Sequence, residues 1–518
     1  MSQKAIVIGA GLGGLSAAIR LQAQGWDVHI FEKNERPGGR MNQIEAQGFR
    51  IDMGPTLVMM PEMLHELFQI AGKRMKEYID LIALSPSYQV HLGDGTRFNM
   101  TSNLHELMDQ LEQRSPKDAA RFFRYFEETH KKYRLSRKYF IERSFNKITD
   151  LVNPSTLLGM LQAKPYGTVA SFTKKYIKDP YLRAAFIFQT LYLGISPYKC
   201  PSVYSLLAYI ELAEGVWFPR GGVFQIAKGL EKLFLDLGGK IHYRKKVSAF
   251  DYQGKKISGV RVQGQQFPAD VVICNQDTGA ALQELIPENL RPSAPTKKID
   301  ALDYGCSCFM IYLGVNKKYP HMAHHTVVLP KQFDSVLGDL FEQGVPPQEP
   351  AYYICRPTAT DASLAPEGNE VIYLLFPVPH LKQYDKWDKE EIQLYRENLL
   401  KQVEETYLPD LRKHIVYEQI FTPRDFKSTY GILHGSAFGL SPLFFQSAYF
   451  RPRNVSPDIE NLFFAGASTH PGGGIPVVLL SGRLVANEIA ARFPKPTKRN
   501  VISPHSFTQS KHALASSD

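Results

Sequence analysis

Apolar positions along the chain fall into three patterns: short runs with no polar interruption, stretches with an apolar residue every three or four positions, and glycine-rich joints between them. Ala5-Ile6-Val7-Ile8 is of the first kind and predicts a parallel strand covered on both faces. It opens into Gly9-Ala10-Gly11-Leu12-Gly13-Gly14, after which Leu15, Ala18 and Ile19 mark the inner face of a helix that Gly25 ends. Val28-His29-Ile30-Phe31 predicts a second strand, finishing at Glu32. Buried strands are predicted again at Ala269 to Asn275 and from Asn461, and Pro476 suits the first turn of a helix continuing through Val477 to Ala491. A helix from about Val223 to Asp236, a strand at Lys240 to Tyr243 and a hairpin over Asp251 to Val262 belong to the same set. One layered fold is therefore assembled from separated pieces of chain.

Elsewhere the pattern changes. Strand-like runs at Cys308 to Val315 and Val371 to Phe376, with a charged amphipathic helix over Lys389 to Glu405, predict a second, mixed unit. Arg121 to Lys147 is compatible with helix throughout and interleaves bases such as Arg121, Arg124, Lys131 and Arg134 with Phe122, Phe123, Tyr125, Phe126, Tyr133 and Phe145. Aromatics that sink into a headgroup boundary beside bases that meet anionic lipid describe an interfacial anchor. Phe186 to Glu214, rich in large apolar residues, predicts helices that line either a core or a hydrophobic tunnel.

The first glycine joint carries chemistry. Gly9 permits a tight turn, Gly11 lets a pyrophosphate approach the backbone, and Gly14 lets the helix pack closely on the sheet. The helix N-terminus would face the phosphates with unpaired N–H groups, and Glu32 stands where a ribose-binding carboxylate belongs. Lys33 and then Arg36-Pro37-Gly38-Gly39-Arg40 add a second glycine turn, with a guanidinium able to reach phosphate oxygens. This extension resembles the FAD-binding signature of the amine oxidase and carotenoid desaturase superfamily, which makes FAD the implied cofactor. Gly48-Phe49-Arg50-Ile51-Asp52-Met53-Gly54-Pro55-Thr56, followed by Met59-Met60-Pro61, is similar to the bacterial carotenoid desaturases, especially those acting on diapophytoene. That likeness implies that the turn at Pro55 lies near the flavin ring and that the Val247 backbone holds the adenine edge. Gly466-Ala467-Ser468-Thr469-His470-Pro471-Gly472-Gly473-Gly474-Ile475-Pro476 also resembles the family almost residue for residue, with Val477 where many relatives have glycine. Gly466, Gly474, Ile475, Pro476 and Val477 are thereby expected around the flavin, where a positive helix end would stabilise the charge of the reduced ring.

The resemblance covers Lys4 to about Ala491 and implies an α/β fold: a Rossmann-type FAD-binding domain from residues 1–85, 217–286 and 453–493, and a mixed α+β substrate domain from 87–216 and 287–452 with a helical membrane-facing part. Residues 494–518 are polar, proline-interrupted and expected to be disordered. At 518 residues the chain is too long for one compact core, and two intertwined domains fit that length. The net charge of +10 asks for an anionic surface; no nucleic-acid motif is present, so lipid is preferred. No stretch approaches the about 18 apolar residues of a membrane span, and no signal peptide is read, so a cytoplasmic, peripherally membrane-associated protein is expected.

Five scattered cysteines predict no disulfide framework, and Cys306 and Cys308 read as small buried apolar residues. His321, His324 and His325 lack acids or cysteines at ligand spacing, so no metal is expected. The implied activity is desaturation of a colourless polyene, phytoene or diapophytoene: hydride passes from an allylic carbon to FAD, a neighbouring carbon loses a proton, and conjugation extends. A hydrocarbon offers no polar handle, so an apolar tunnel must recognise it. Glu211 and Asp425 are the candidate carboxylates for stabilising positive charge or taking the proton, and each suits a structural ion pair equally. A terminal-methyl oxidase, an amine oxidase-like flavoenzyme and a non-catalytic flavin scaffold are the alternatives. The final electron acceptor, oxygen or quinone, is left open.

Overall fold

The computed structural model describes residues 3–164 and 166–494. Five parallel strands form one sheet in the order Leu462–Phe464, Val271–Cys274, Lys4–Ile8, Asp27–Phe31, Lys240–His242. In register, Ile8 lies between Cys274 and Phe31. Ala5, Ile6 and Val7 are fully buried, as a strand covered by helices on one face and a small three-stranded sheet on the other requires. The covering helices are Leu12–Ala23, Phe224–Asp236 and Ile475–Arg492. The first and last cross closely because Gly482 has no side chain: a Cβ there would stand 2.7 Å from the Ala17 nitrogen and the Gly13 oxygen. The Ser16 hydroxyl donates to the Leu479 carbonyl at 2.7 Å across the same crossing.

The hairpin Gln43–Ala46 and Phe49–Asp52 ends in a carboxylate that begins the second of these helices. Asp52 accepts from the Val223 and Phe224 amides at 2.6 and 3.2 Å and from the Gln43 side chain at 3.1 Å. Burial raises its pKa from 3.8 to about 6, opposed by those same hydrogen bonds. Replacing Asp52 with alanine leaves two buried helix amides unpaired and is expected to lower stability by about 2 kcal/mol, read from thermal melts.

The second unit is built on a seven-stranded sheet in the order Ile415–Phe421, Ser307–Val315, Glu370–Val378, Tyr352–Cys355, His325–Val328, Tyr88–His91, Arg97–Met100. Period-two alternation gives its central strands two different faces. Phe309, Ile311, Leu313, Ile372 and Leu374 pack under the helix Lys389–Thr406, whereas Cys308, Met310, Tyr312 and Tyr373 turn toward the parallel sheet. Both faces being covered, every residue of Ser307–Val315 is buried.

One expectation is overturned here. The helix Pro116–Ser136 does form, but its aromatics are not a lipid anchor. Phe122 and Tyr125 are fully buried against Phe172 and Phe186, Tyr133 packs on Tyr209, and beyond the helix Phe145 is buried beside His470. Spacing of three and four residues turned them onto the inner face of the helix, and of the large aromatics on it only Phe123 is exposed. Among the described residues no helix is long and apolar enough to cross a membrane. The tail expected to be disordered lies, from residue 495 on, outside the described residues.

Candidate active site

A cavity of about 680 Å³ lies between the parallel sheet and the inner face of the seven-stranded one. Gly9, Gly11, Glu32, Lys33, Gly39, Arg40 and Val247 line one part of it, and Pro55, Gly466, Gly474, Ile475, Pro476 and Val477 another. Gly14 is not on the wall; a Cβ there would stand 2.4 Å from the Gly9 carbonyl, so it serves the close packing expected of it. Another part of the wall is apolar, with Phe188, Leu191, Leu207, Ile210, Val327 and Leu329 and with Tyr192 and Tyr353 among them, while Arg137, Glu142, Asp277 and Arg451 also reach the cavity.

The donors suit an elongated anion. Two helices begin at this cavity, with Gly11 and Gly474 as their N-caps, and neither has a side chain capping its first amides. A Cβ on Gly11 would stand 2.6 Å from Asn275 Oδ1, while beyond Gly474 there is open space for at least 4 Å. Asn275 in turn donates to the Ala465 carbonyl at 2.7 Å, tying the ends of two neighbouring strands beneath the glycines. Glu32, 4 % exposed, accepts from the Ala10 and Asn34 amides at 2.8 Å each, which aims its carboxylate and leaves lone pairs for sugar hydroxyls. Arg40 donates to the Ala437 carbonyl at 2.9 Å and makes no ion pair with a described carboxylate, so its charge is available to a phosphate. Arg451, buried, donates to the Thr469 and Ala467 carbonyls and so braces the C-terminal glycine loop.

The family model for flavin-containing amine oxidoreductases matches residues 12–490. The chain belongs to that family. It is 39% identical over 490 residues to a zeta-carotene-forming phytoene desaturase of Myxococcus xanthus, covering 94% of each chain. It is 38% identical to a 4,4'-diapophytoene desaturase (4,4'-diaponeurosporene-forming) of Staphylococcus haemolyticus, covering 93% of this chain and 97% of that one. Among solved structures, an oxidoreductase from Methanosarcina mazei shares the fold with a TM-score of 0.64 at 19% identity, over 94% of this chain and all of that one. Cyclohexylamine oxidase from Brevibacterium oxydans does so with 0.60 at 15%, over 96% and 100%. Within the flavin-containing family the chain falls among the carotenoid desaturases, and it is an FAD-dependent oxidoreductase. Glu32, Arg40 and the two uncapped helix ends are the groups that would hold FAD in this desaturase.

The two candidate carboxylates have different fates. Asp425 closes a capping box, accepting from the Thr422 amide and hydroxyl at 2.7 Å each, and the cavity wall passes through its neighbour Phe426 instead. Its place in the Thr-Pro-Arg-Asp run is that of a helix start, which explains the residue without catalysis. Glu211 is buried and, unlike its electrostatic neighbour Tyr192, does not line the cavity. Its Oε2 accepts from Tyr88 at 2.6 Å and Gln189 at 3.2 Å, and its Oε1 has no partner among the described residues. Burial raises its pKa from 4.5 to about 7, against the pull of those two donors.

Residues that the sequence did not single out do much of the positioning. Three tyrosines from three neighbouring strands reach the turn expected beside the flavin: Tyr312 donates to the Met53 carbonyl at 2.9 Å, Tyr373 to the Gly54 carbonyl at 3.2 Å, and Tyr353 meets the Thr56 hydroxyl at 2.7 Å. Alternation along each strand was the available signal, since these tyrosines share a face with Cys308 and Met310. The histidines divide as well: His321 is exposed, while His324 and His325 are buried. The cysteine missing from their sequence neighbourhood arrives from the next strand, where Cys355 pairs with His325 and brings Sγ to 3.6 Å of its Nδ1. Cys306 and Cys308 are buried, with thiols that burial pushes up, as small apolar residues would be.

Proposed function

We propose that the desaturase introduces conjugated double bonds into a colourless linear polyene of the phytoene or diapophytoene class. The observation that carries the reading is a single cavity lined both by the glycines expected to hold FAD and by large apolar side chains. When bound, FAD supplies an acceptor for hydride. The chain's own residues orient the hydrocarbon, exclude water and meet the proton that each desaturation releases. Leu191, Leu207, Ile210, Val327 and Leu329 offer it no polar partner, so shape and length do the selecting. Glu211 lies too far back to touch the substrate; as a carboxylate in low dielectric it favours positive charge developing on the polyene in front of Tyr192. Supplying purified protein and FAD with each precursor, and analysing the pigments by chromatography and mass, tests this. Conjugated hydrocarbon is expected; aldehyde, acid or unchanged precursor contradicts the reading.

The substrate also argues for a lipid partner. Burying a methylene gains about 0.8 kcal/mol relative to water, but a bilayer offers nearly the same, so uptake works best from a docked position. The apolar surface suited to docking follows the helix expected to provide it: Ile148, Val152, Leu157, Leu158, Leu161 and Tyr166 are exposed on and beside the short helices Ile148–Leu151 and Pro154–Ala163. Leu158→Glu with Leu161→Glu is expected to reduce co-sedimentation with anionic vesicles at least about fivefold while flavin content stays at the wild-type level.

A further inference from the structure

Each desaturation leaves a proton inside the cavity, and a polar thread leads away from it through Tyr353. Of the three tyrosines on the 53–56 turn, Tyr312 and Tyr373 spend their hydroxyl protons on backbone carbonyls, which cannot pass a proton on. Tyr353 is different. Its hydroxyl stands between the Thr56 hydroxyl at 2.7 Å and His325 Nδ1 at 2.6 Å, two groups that each donate or accept. Thr56 and Tyr353 line the cavity, whereas His325 is fully buried behind them. The His325 ring touches that of His324, 4.2 Å between centroids, and His324 Nδ1 meets the Thr360 hydroxyl at 2.6 Å. Thr360 is half-buried, so the thread ends near solvent.

Both imidazoles keep an Nε2 with no partner among the described residues, although both rings are more than nine-tenths buried. An unpaired buried nitrogen costs about 1–3 kcal/mol, and two on adjacent residues are an expensive way to fill a core. Burial, and then the charge of adjacent Arg356, which is held by Glu370 and by the Met322 carbonyl, make His324 a poor resting place for a positive charge. A proton reaching His324 therefore does not rest there, and the hydrogen bond to the Thr360 hydroxyl offers it a way toward solvent.

Resting on the desaturase reading above, we propose that Tyr353 and His325 accept the proton lost at each desaturation and that His324 and Thr360 conduct it out. One C–H bond of the polyene gives its electron pair, with hydrogen, to FAD as hydride. The neighbouring C–H bond gives its pair to the new double bond, and its proton goes to the Tyr353 oxygen as the phenol proton moves to His325 Nδ1. A C–H bond beside a developing polyene cation is strongly acidic, so an imidazole weakened as a base by burial still takes the proton. The two rings make van der Waals contact without a hydrogen bond, so passage between them requires one ring to turn. Tyr353 is a catalytic residue in this scheme, and His325, His324 and Thr360 act through it.

The test is a single anaerobic turnover of flavin-loaded enzyme, following flavin bleaching together with proton release to a pH-indicator dye. Wild type is expected to release its proton in step with bleaching. Tyr353→Phe and His325→Gln are expected to slow both by about a hundredfold, with flavin content, melting temperature and substrate KM near wild type and a changed solvent deuterium isotope effect. Tyr373→Phe loosens the same turn without cutting the thread and is expected to keep the wild-type isotope effect. In resting enzyme with isotope-labelled histidine, Tyr353→Phe is expected to move the Nδ1 resonance of His325. Rates and isotope effects of Tyr353→Phe and His325→Gln within about twofold of an active wild type would overturn the relay alone. Loss of wild-type activity on chelation would also overturn it, since His324, His325 and Cys355 would then be metal ligands. A wild type that leaves the polyene untouched would overturn the desaturase reading first.

Discussion

Replacing Gly11 with valine is expected to give a folded, colourless protein with at least a hundredfold less bound flavin than wild type. The backbone at Gly11 is extended, with φ −70° and ψ 168°, so valine adopts it without strain. The effect is local and steric. The new Cβ arrives 2.6 Å from Asn275 Oδ1, and Asn275 cannot swing away without releasing the Ala465 carbonyl that joins the strand ends beneath the cradle. The branched methyls occupy the space in which a pyrophosphate must approach the first helix. Flavin absorbance per protein after gel filtration measures the loss, and circular dichroism checks that the fold survives. A yellow, flavin-saturated variant would remove the cradle from the account.

Replacing Glu211 with glutamine is expected to lower kcat by about tenfold to a hundredfold with little change in KM or flavin content, since the interaction strengthens only as charge develops. The same variant has a pH signature. Burial holds the folded-state pKa at about 7 against 4.5 ordinarily, so the folded protein binds this proton more tightly than the unfolded chain does. Stability from this group is therefore present at low pH and is lost as pH rises from 4.5 through about 7, a change of about 3 kcal/mol. Wild type should gain stability on acidification across that window. Glu211→Gln should lose that part of the slope and keep the smaller part due to Asp52, whose pKa is raised in the same direction. If the carboxylate is the active form, wild-type kcat rises through about pH 7 and the variant's does not. Denaturant melts and kcat profiles between pH 5 and 8 measure both.

How far the sequence could be read depended on whether a feature is local. The glycine joint, Glu32 and the Gly466 to Val477 loop are short and contiguous, and their backbone demands show in residue type alone; Gly9, Gly11, Glu32, Gly466 and Gly474 all stand on the cavity wall. Even the distant strands were legible, because a strand covered on both faces has no polar positions to hide it. Features that need two distant segments to meet were not. The basic, aromatic stretch after Arg121 has the composition of a lipid anchor, but composition does not say which side of a helix faces Phe186. Asp425 looked like chemistry until the capping box with Thr422 explained it. Tyr353, His325 and Cys355 come together only through strand pairing, and no spacing in the chain announces that.

The parallel sheet has a consequence for how the protein is made. Its edge strand at Leu462–Phe464 and the helix Ile475–Arg492 leave the ribosome more than 400 residues after the first strand they pack against. Until then the nascent chain has only part of the phosphate cradle, and an open sheet edge along Val271–Cys274. The cradle is therefore complete only once the last strand and helix have docked on the first, a docking that the strand pairing and the Ser16 hydrogen bond hold in place.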